Sequence, residues 1–207
     1  MGFGLLGFLD CGGGVELVER TTWERVARRI RVPMGFGFAG LFLWLARPTW
    51  VSLGTSLLLV VPGVWMRGYA AGYVKKNEEL TRTGPYAYTR NPLYLGSMLI
   101  AFGFAAASRS WVIPVVLAVL FLAIYGPTIR SEEAFLRGRF PEFEAYAKAV
   151  PRLLPRLTAE GGGTGAAEFR WQQYLHHREY NALMGAVAIY AALVAALVTR
   201  LVRWGHG

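Results

Sequence analysis

Between Thr83 and Gly96 the chain reads TGPYAYTRNPLYLG, setting three tyrosines, one arginine and an Asn–Pro step within fourteen residues. Phenol rings can face a cation through their π-systems, and a guanidinium can grip a carboxylate or phosphate in a two-pronged fashion. Further on come Arg130-Ser131-Glu132-Glu133, then Phe140, Tyr146 and Val150-Pro151-Arg152-Leu153-Leu154-Pro155. Paired carboxylates can accept hydrogen bonds from hydroxyl or ammonium groups, or can simply mark a solvated helix start near the favourable end of its dipole. Helical neighbours point about 100° apart, so Glu132 and Glu133 are expected to do different things. Arg67 directly follows nineteen uncharged residues. An ionisable group there is either a functional residue or a side chain that snorkels to the headgroups.

Other patterns carry less. Gly2, Gly4, Gly7 and Gly35, Gly37, Gly40 both spell G-x-G-x-x-G. Neither has the strand–turn–helix context of a dinucleotide site, and the second lies in an apolar run, where small residues let helices approach. Gly68 and Gly72 form a similar small-residue face. His176 and His177 are adjacent and poorly placed to share a metal, and no metal-ligand spacing occurs elsewhere. No combination of Ser, His and Asp for nucleophilic catalysis is present, and Cys11 has no partner for a disulfide.

These residues must be held by membrane helices. The 207 residues are 54% hydrophobic and 17% charged, with a mean hydropathy of +0.34, which excludes a disordered chain. Five uncharged runs, Val32–Ala46, Pro48–Met66, Asn91–Ser108, Ser110–Ile129 and Asn181–Thr199, measure 15, 19, 18, 20 and 19 residues. About 20 residues of helix cross a hydrocarbon core of about 30 Å. The expected fold is therefore an all-α integral membrane bundle of about five transmembrane helices with a cytoplasmic cofactor pocket. The first two runs, parted by Arg47-Pro48, should form a tight helical hairpin, and the second should continue through Arg67 towards Val74.

The net charge of +9 reads as cytoplasm-facing loops rather than nucleic-acid binding, because the basic residues alternate with long uncharged runs. With the N-terminus inside, 17 of the 22 Lys and Arg residues fall in inner segments. The positive-inside rule thus predicts a cytoplasmic N-terminus and cytoplasmic segments 75–92 and 130–180. Three regions are expected. Residues 1–31 form an N-terminal segment with an interfacial amphipathic helix, in which Thr21 and Glu24 make a capping box and Trp23, Val26, Ala27 and Ile30 share a face. Residues 32–160 form the core, and 161–207 carry a Gly-rich linker and the last span. The Arg-, Ala- and Gly-rich composition points to a bacterial inner membrane.

Taken together, the motifs resemble the isoprenylcysteine carboxyl methyltransferase and phospholipid methyltransferase family of integral-membrane enzymes. The matching pattern is Gly84, Tyr86, Arg90, Asn91, Pro92, Tyr94 and Gly96, then Glu132, Glu133 and Leu136, then Val150, Pro151 and Pro155. It covers roughly residues 55–157. The resemblance implies methyl transfer from S-adenosylmethionine to a lipid, lipidated or other amphiphilic acceptor, with no metal and no nucleic acid. By motif position it places cofactor contacts on Tyr86, Asn91, Pro92, Leu93, Tyr94 and Glu132, with Leu80 and Thr81 upstream. Tyr86, Tyr88 or Tyr94 would face the sulfonium, Glu132 or Glu133 would accept from ribose or ammonium, and Arg90 would pair with the methionine carboxylate. Arg130 or Arg67 would take an acidic headgroup or acceptor carboxylate, making Arg90 and Arg130 the catalytic candidates. Asn91 stands where protein-directed members carry His, so any general-base role of that His does not transfer.

Two other readings compete: a membrane reductase using NADPH, of the sterol-reductase type, and a non-catalytic scaffold that kept the bundle. The acceptor and the oligomeric state are not legible in the sequence.

Overall fold

A computed structural model describes residues 37–73, 79–160, 169–176 and 179–205. The chain divides into two compact units, Met1–Phe38 and Ala39–Gly207, and every candidate site residue belongs to the second. The interfacial helix expected within 1–31 and the Gly-rich linker at 161–165 lie outside the described residues.

The described residues are helical and contain no strand. In order they form α1 (37–45), α2 (Trp50–Tyr73), a 3₁₀ turn (Gly84–Ala87), α3 (Pro92–Ser108), α4 (Val112–Arg139), α5 (Phe143–Ala149), α6 (Trp171–His176) and α7 (Tyr180–Gly205). Three helical stretches, Trp50–Tyr73, Val112–Arg139 and Tyr180–Arg203, are long and apolar enough to cross a membrane. α3 is apolar but shorter, at 17 residues. Large side chains such as Leu58, Trp65, Leu122 and Met184 face outward. Only 11% of the apolar window of α4 is buried, as expected for a protein whose solvent is lipid.

Helix ends follow local chemistry. α1 and α2 are parted at residues 46–49, the break expected at Arg47-Pro48. Thr49 and Ser52 then cap α2 reciprocally: the Ser52 amide donates to Thr49 Oγ1 at 3.1 Å, and the Thr49 amide to Ser52 Oγ at 2.9 Å. Pro92 occupies the first turn of α3, where its missing N–H costs nothing. Arg109, with φ of 56°, ends α3 in the left-handed conformation.

α2 and α3 run antiparallel, tied at one end by the Arg47 amide on the Ser108 carbonyl at 2.8 Å and by Ser52 Oγ on the Ala107 carbonyl at 2.9 Å. Their close approach depends on Gly63, Gly96 and Gly103. A Cβ on Gly63 would come within 2.8 Å of the Gly96 carbonyl, and one on Gly103 within 2.6 Å of Val60. The sequence pointed to other glycines. Gly37 and Gly40 meet no described atom within 4 Å, so no close packing rests on them among the described residues. Gly68 and Gly72 do pack closely, but against Tyr174 and Phe169 rather than a neighbouring span.

One reading of the later chain changes. Glu132 and Glu133 do not begin a helix, because α4 runs unbroken for 28 residues past Pro127 and through both. α7 packs onto α2 and α3: Tyr190 donates to the Leu53 carbonyl, bonds Ser56 Oγ, and meets Phe104 with ring centres 5.6 Å apart.

Candidate active site at the end of α2, α3 and α4

The motif loop 84–91 is clamped by the segment that comes after α5. The amides of Arg90, Arg156 and Glu160 donate to the carbonyls of Pro151, Tyr88 and Ala87 at 3.0, 3.0 and 3.1 Å. Thr89, fully buried, donates to the Leu153 carbonyl at 3.0 Å, and Asn91 Nδ2 to the Arg152 carbonyl at 2.8 Å. The Tyr146 hydroxyl donates to the Tyr86 carbonyl at 2.8 Å. Buried loop groups need such partners: V-P-R-L-L-P supplies the accepting carbonyls of Pro151, Arg152 and Leu153, and Arg156, Glu160 and Tyr146 supply the donors. Gly84, with φ of 59°, starts the turn, and a Cβ there would strike the Tyr73 ring.

The paired carboxylates separate as helical geometry requires. Glu132 accepts from the Tyr94 hydroxyl at 2.9 Å. Tyr94 also meets Tyr125 edge-on, with ring centres 5.1 Å apart; Tyr125 lies two turns before Glu132 on the same face of α4. Glu133 turns the other way into the protein, only 5% exposed. It holds Arg152 through contacts of 2.6 and 3.0 Å and Arg90 at 3.1 Å. The Arg152 guanidinium is held protonated even more firmly than usual, chiefly by its hydrogen bond to Glu133. The carboxylate expected either to accept from the cofactor or to mark a solvated helix start is therefore the buried centre of an Arg–Glu–Arg triad.

Tyr86 is buried. Desolvation pushes its phenol well above its ordinary pKa, with Tyr146, Glu132, Glu179 and Tyr94 adding in that order. Tyr86 thus sits among the same groups as Tyr94 and Glu132. Arg67 joins them through α3: it donates to Ser97 Oγ, one turn beyond Tyr94. Its other nitrogens grip Glu179 at 3.1, 3.1 and 2.8 Å. A guanidinium so engaged is not open to an acceptor headgroup, the role expected of it.

Other expected residues are spread more widely. Arg130 is exposed and Pro92 buried, while Leu93 and Thr81 are half-buried. Leu80 packs against the apolar cluster of Phe143, Tyr146 and Val150, so it belongs to a core rather than a cavity wall. Tyr88, 40% exposed, lines a groove of about 400 Å³ with Trp65, Met66, Tyr69, Pro85, Thr89 and Pro155. Tyr86 is the one residue of 84–89 absent from that lining, so the turn presents its other residues to the groove and Tyr86 to the buried cluster. Sequence reasoning missed Arg152 and Glu179 as site residues. Glu179 had a faint signal, standing just before an uncharged run as Arg67 stands just after one.

The residues fit a zwitterionic sulfonium cofactor. Glu132 and the phenols suit a cation, whereas the Arg90–Glu133–Arg152 triad carries one excess positive charge suited to a carboxylate. Arg90 Nε is buried without a hydrogen-bond partner, a donor still to be satisfied. Among the described residues no three His, Cys, Asp or Glu side chains converge as a metal site would require.

Residues 55–142 match the phospholipid methyltransferase family. Over 142 residues the chain is 37% identical to a cobalt-zinc-cadmium resistance protein of Cupriavidus metallidurans, covering 64% of each chain. It is 36% identical to a nickel-cobalt-cadmium resistance protein of Alcaligenes xylosoxydans, over 53% of this chain and 54% of that one. It is 28% identical to the protein-S-isoprenylcysteine O-methyltransferase of Schizosaccharomyces pombe, over 58% of this chain and 48% of that one. The chain therefore spans between about half and just under two thirds of these relatives' lengths. No solved structure matches it significantly.

Proposed function

Residues 55–142 belong to the phospholipid methyltransferase family, and on that premise we propose that the protein is an integral-membrane methyltransferase moving a methyl group from S-adenosylmethionine to a lipid or other amphiphilic acceptor. The observation that carries the reading is the Tyr94–Glu132 hydrogen bond between α3 and α4, one residue along α4 from the cationic Arg90–Glu133–Arg152 triad. S-Adenosylmethionine supplies, when bound, a sulfonium methyl group that leaves a neutral thioether after in-line displacement.

The chain's own residues position and polarise. Glu132, oriented by Tyr94, offers a carboxylate to ammonium or ribose hydroxyl groups. The Tyr86 and Tyr94 rings offer π-faces to a cation, worth about 0.5–2 kcal/mol. Arg90, braced by Glu133, offers its buried Nε–H to a carboxylate. No general base stands at position 91, because a carboxamide is not basic; the Asn91 amide instead donates to the Arg152 carbonyl. An acceptor that arrives already nucleophilic, as an anion or an unprotonated amine, suits this arrangement. The groove beside Trp65, Met66 and Tyr69 adjoins a membrane-spanning helix and suits an acceptor's apolar portion.

We place the protein in a bacterial inner membrane with the site facing the cytoplasm, from the positive-inside count. Two relatives are named as metal-resistance proteins, which makes metal stress a condition under which to look for the methylation. The test incubates purified protein in nanodiscs with methyl-labelled S-adenosylmethionine and a total lipid extract. Mass spectrometry should find label in a lipid, and protection by NADPH without transfer would favour the reductase reading instead.

A further inference from the structure

Tyr69 stacks with two rings, Trp65 with centres 5.0 Å apart and Phe169 at 6.3 Å, each within 10° of parallel. Tyr73 meets Tyr69 and Phe169 edge-on, and its hydroxyl bonds that of Tyr69 at 3.1 Å. Phe169 lies beyond the residues that match the family. It reaches α2 because Gly72 has no side chain; a Cβ there would strike its ring. The Arg170 amide, donating to the Gly72 carbonyl at 3.0 Å, fixes the backbone beside it.

Trp65 and Tyr69 also form one wall of the groove of about 400 Å³, opposite Pro85, Tyr88 and Pro155. Phe169 is not in that lining and backs Tyr69 instead. Among the described residues the lining carries no charged side chain, and the hydroxyls of Thr89 and Tyr69 are spent on the Leu153 carbonyl and on Tyr73. Trp65 is 63% exposed on a spanning helix, so the groove is continuous with the lipid-facing surface of α2. At roughly 30 Å³ per small group, the share a water takes in the liquid, the groove has room for one lipid chain and too little for two.

We propose that this groove takes one hydrocarbon chain of the acceptor, and that Phe169 is the positioning residue that holds the Tyr69 ring in place as its wall. Ring contacts and a hydroxyl bond restrict Tyr69 before any chain arrives, so the chain meets a formed groove and less ordering is left to binding. The loop on the far side belongs to the motif, so a chain seated there brings its headgroup beside that loop. The inference rests on the methyl-transfer reading and gives part of acceptor selection to a segment outside the matched residues.

The test uses the full chain in nanodiscs and a single-chain phospholipid carrying a photoreactive diazirine at mid-chain. After illumination, mass spectrometry should find label on residues 84–89 of the wild type as well as on the exposed face of α4, which any lipid reaches and which serves as the reference. Phe169→Ala removes the ring behind Tyr69. Label on 84–89 relative to α4 should then fall about four- to fifteenfold, the worth of one or two methylenes losing their contacts. Binding of S-adenosylhomocysteine, measured by calorimetry, should not change, whereas a merely structural role would lower it together with the label. No label on 84–89 in the wild type overturns the proposal. So does an unchanged relative label in Phe169→Ala, or a joint loss of label and cofactor binding. If Phe169→Ala does not fold, Phe169→Leu replaces it: a smaller fall of relative label at constant cofactor affinity supports the proposal, and an unchanged label overturns it. A labelled groove in wild-type protein that binds no S-adenosylhomocysteine would instead sink the methyl-transfer reading itself.

Discussion

The Tyr94 hydroxyl donates to Glu132 Oε1 across 2.9 Å, joining the first turn of α3 to the tail of α4. Neighbouring Glu133 takes no part in that bond and is spent on two arginines. One turn of helix geometry therefore assigns the two carboxylates to separate tasks. Glu132 is left towards the buried phenols, and Glu133 fastens α4 to the loop that carries Arg90.

Glu132→Gln should weaken S-adenosylhomocysteine binding while leaving the unliganded protein folded. Loss of charge-assisted hydrogen bonds costs roughly 1.5–3 kcal/mol, about 10–150-fold in affinity. Tyr94→Phe, which removes one hydrogen bond to Glu132, should cost less. Calorimetry beside a melting curve separates the effects, and unchanged affinity in both variants would remove this pair from the site.

Glu133→Gln should act first on stability. It leaves Arg90, 12% exposed, and Arg152, 50% exposed, sharing an uncharged partner. A fully enclosed pair broken this way loses about 3–5 kcal/mol, and the exposure of Arg152 reduces the expected loss to about 2 kcal/mol. Thermal unfolding in detergent should show an earlier transition than for Glu132→Gln. The reverse order would mean that Glu133, not Glu132, faces the ligand.

Stability should fall on the alkaline side. Burial raises the phenols of Tyr86 and Tyr146 above the ordinary value of 10.0. Above about pH 10 the unfolded chain releases these protons while the folded protein keeps them, so each buried phenol costs up to about 1.4 kcal/mol per pH unit. Below that pH both states are protonated and the effect vanishes. Tyr146→Phe should flatten the alkaline limb of a pH–stability curve, although it also loses the bond to the Tyr86 carbonyl at all pH values. An alkaline limb of unchanged slope would contradict the assignment.

Topology can be read by thiol labelling once Cys11 is replaced by Ser. Leu157→Cys, at a fully exposed position, should stay unlabelled from outside intact cells and react after permeabilisation. Ser110→Cys, between α3 and α4, should react from outside. Labelling of Leu157→Cys in intact cells would invert the orientation.

Much of this architecture was legible in the sequence because it depends on local chemistry. Uncharged runs near 20 residues become helices wherever water is absent, and Pro92 and the Gly84 turn start and stop elements through backbone geometry alone. The divergence of Glu132 from Glu133 followed from the helical period. The partners were not legible, since a hydrogen bond or ion pair records distance in space rather than along the chain. Glu133 looked like a surface charge until the loop after α5 brought Arg152 and buried it. Arg67 looked like a snorkelling or ligand-binding cation until Glu179 arrived from 112 residues away. The glycines that mattered were those where two backbones cross, at Gly63, Gly96 and Gly103. Composition and period thus decided which segments are apolar enough to cross a membrane. Only the packing of α2 on α3, and of α7 on α2, decided which charges are paired and how deeply they are buried, because desolvation sets a charge's worth and only tertiary contact removes water.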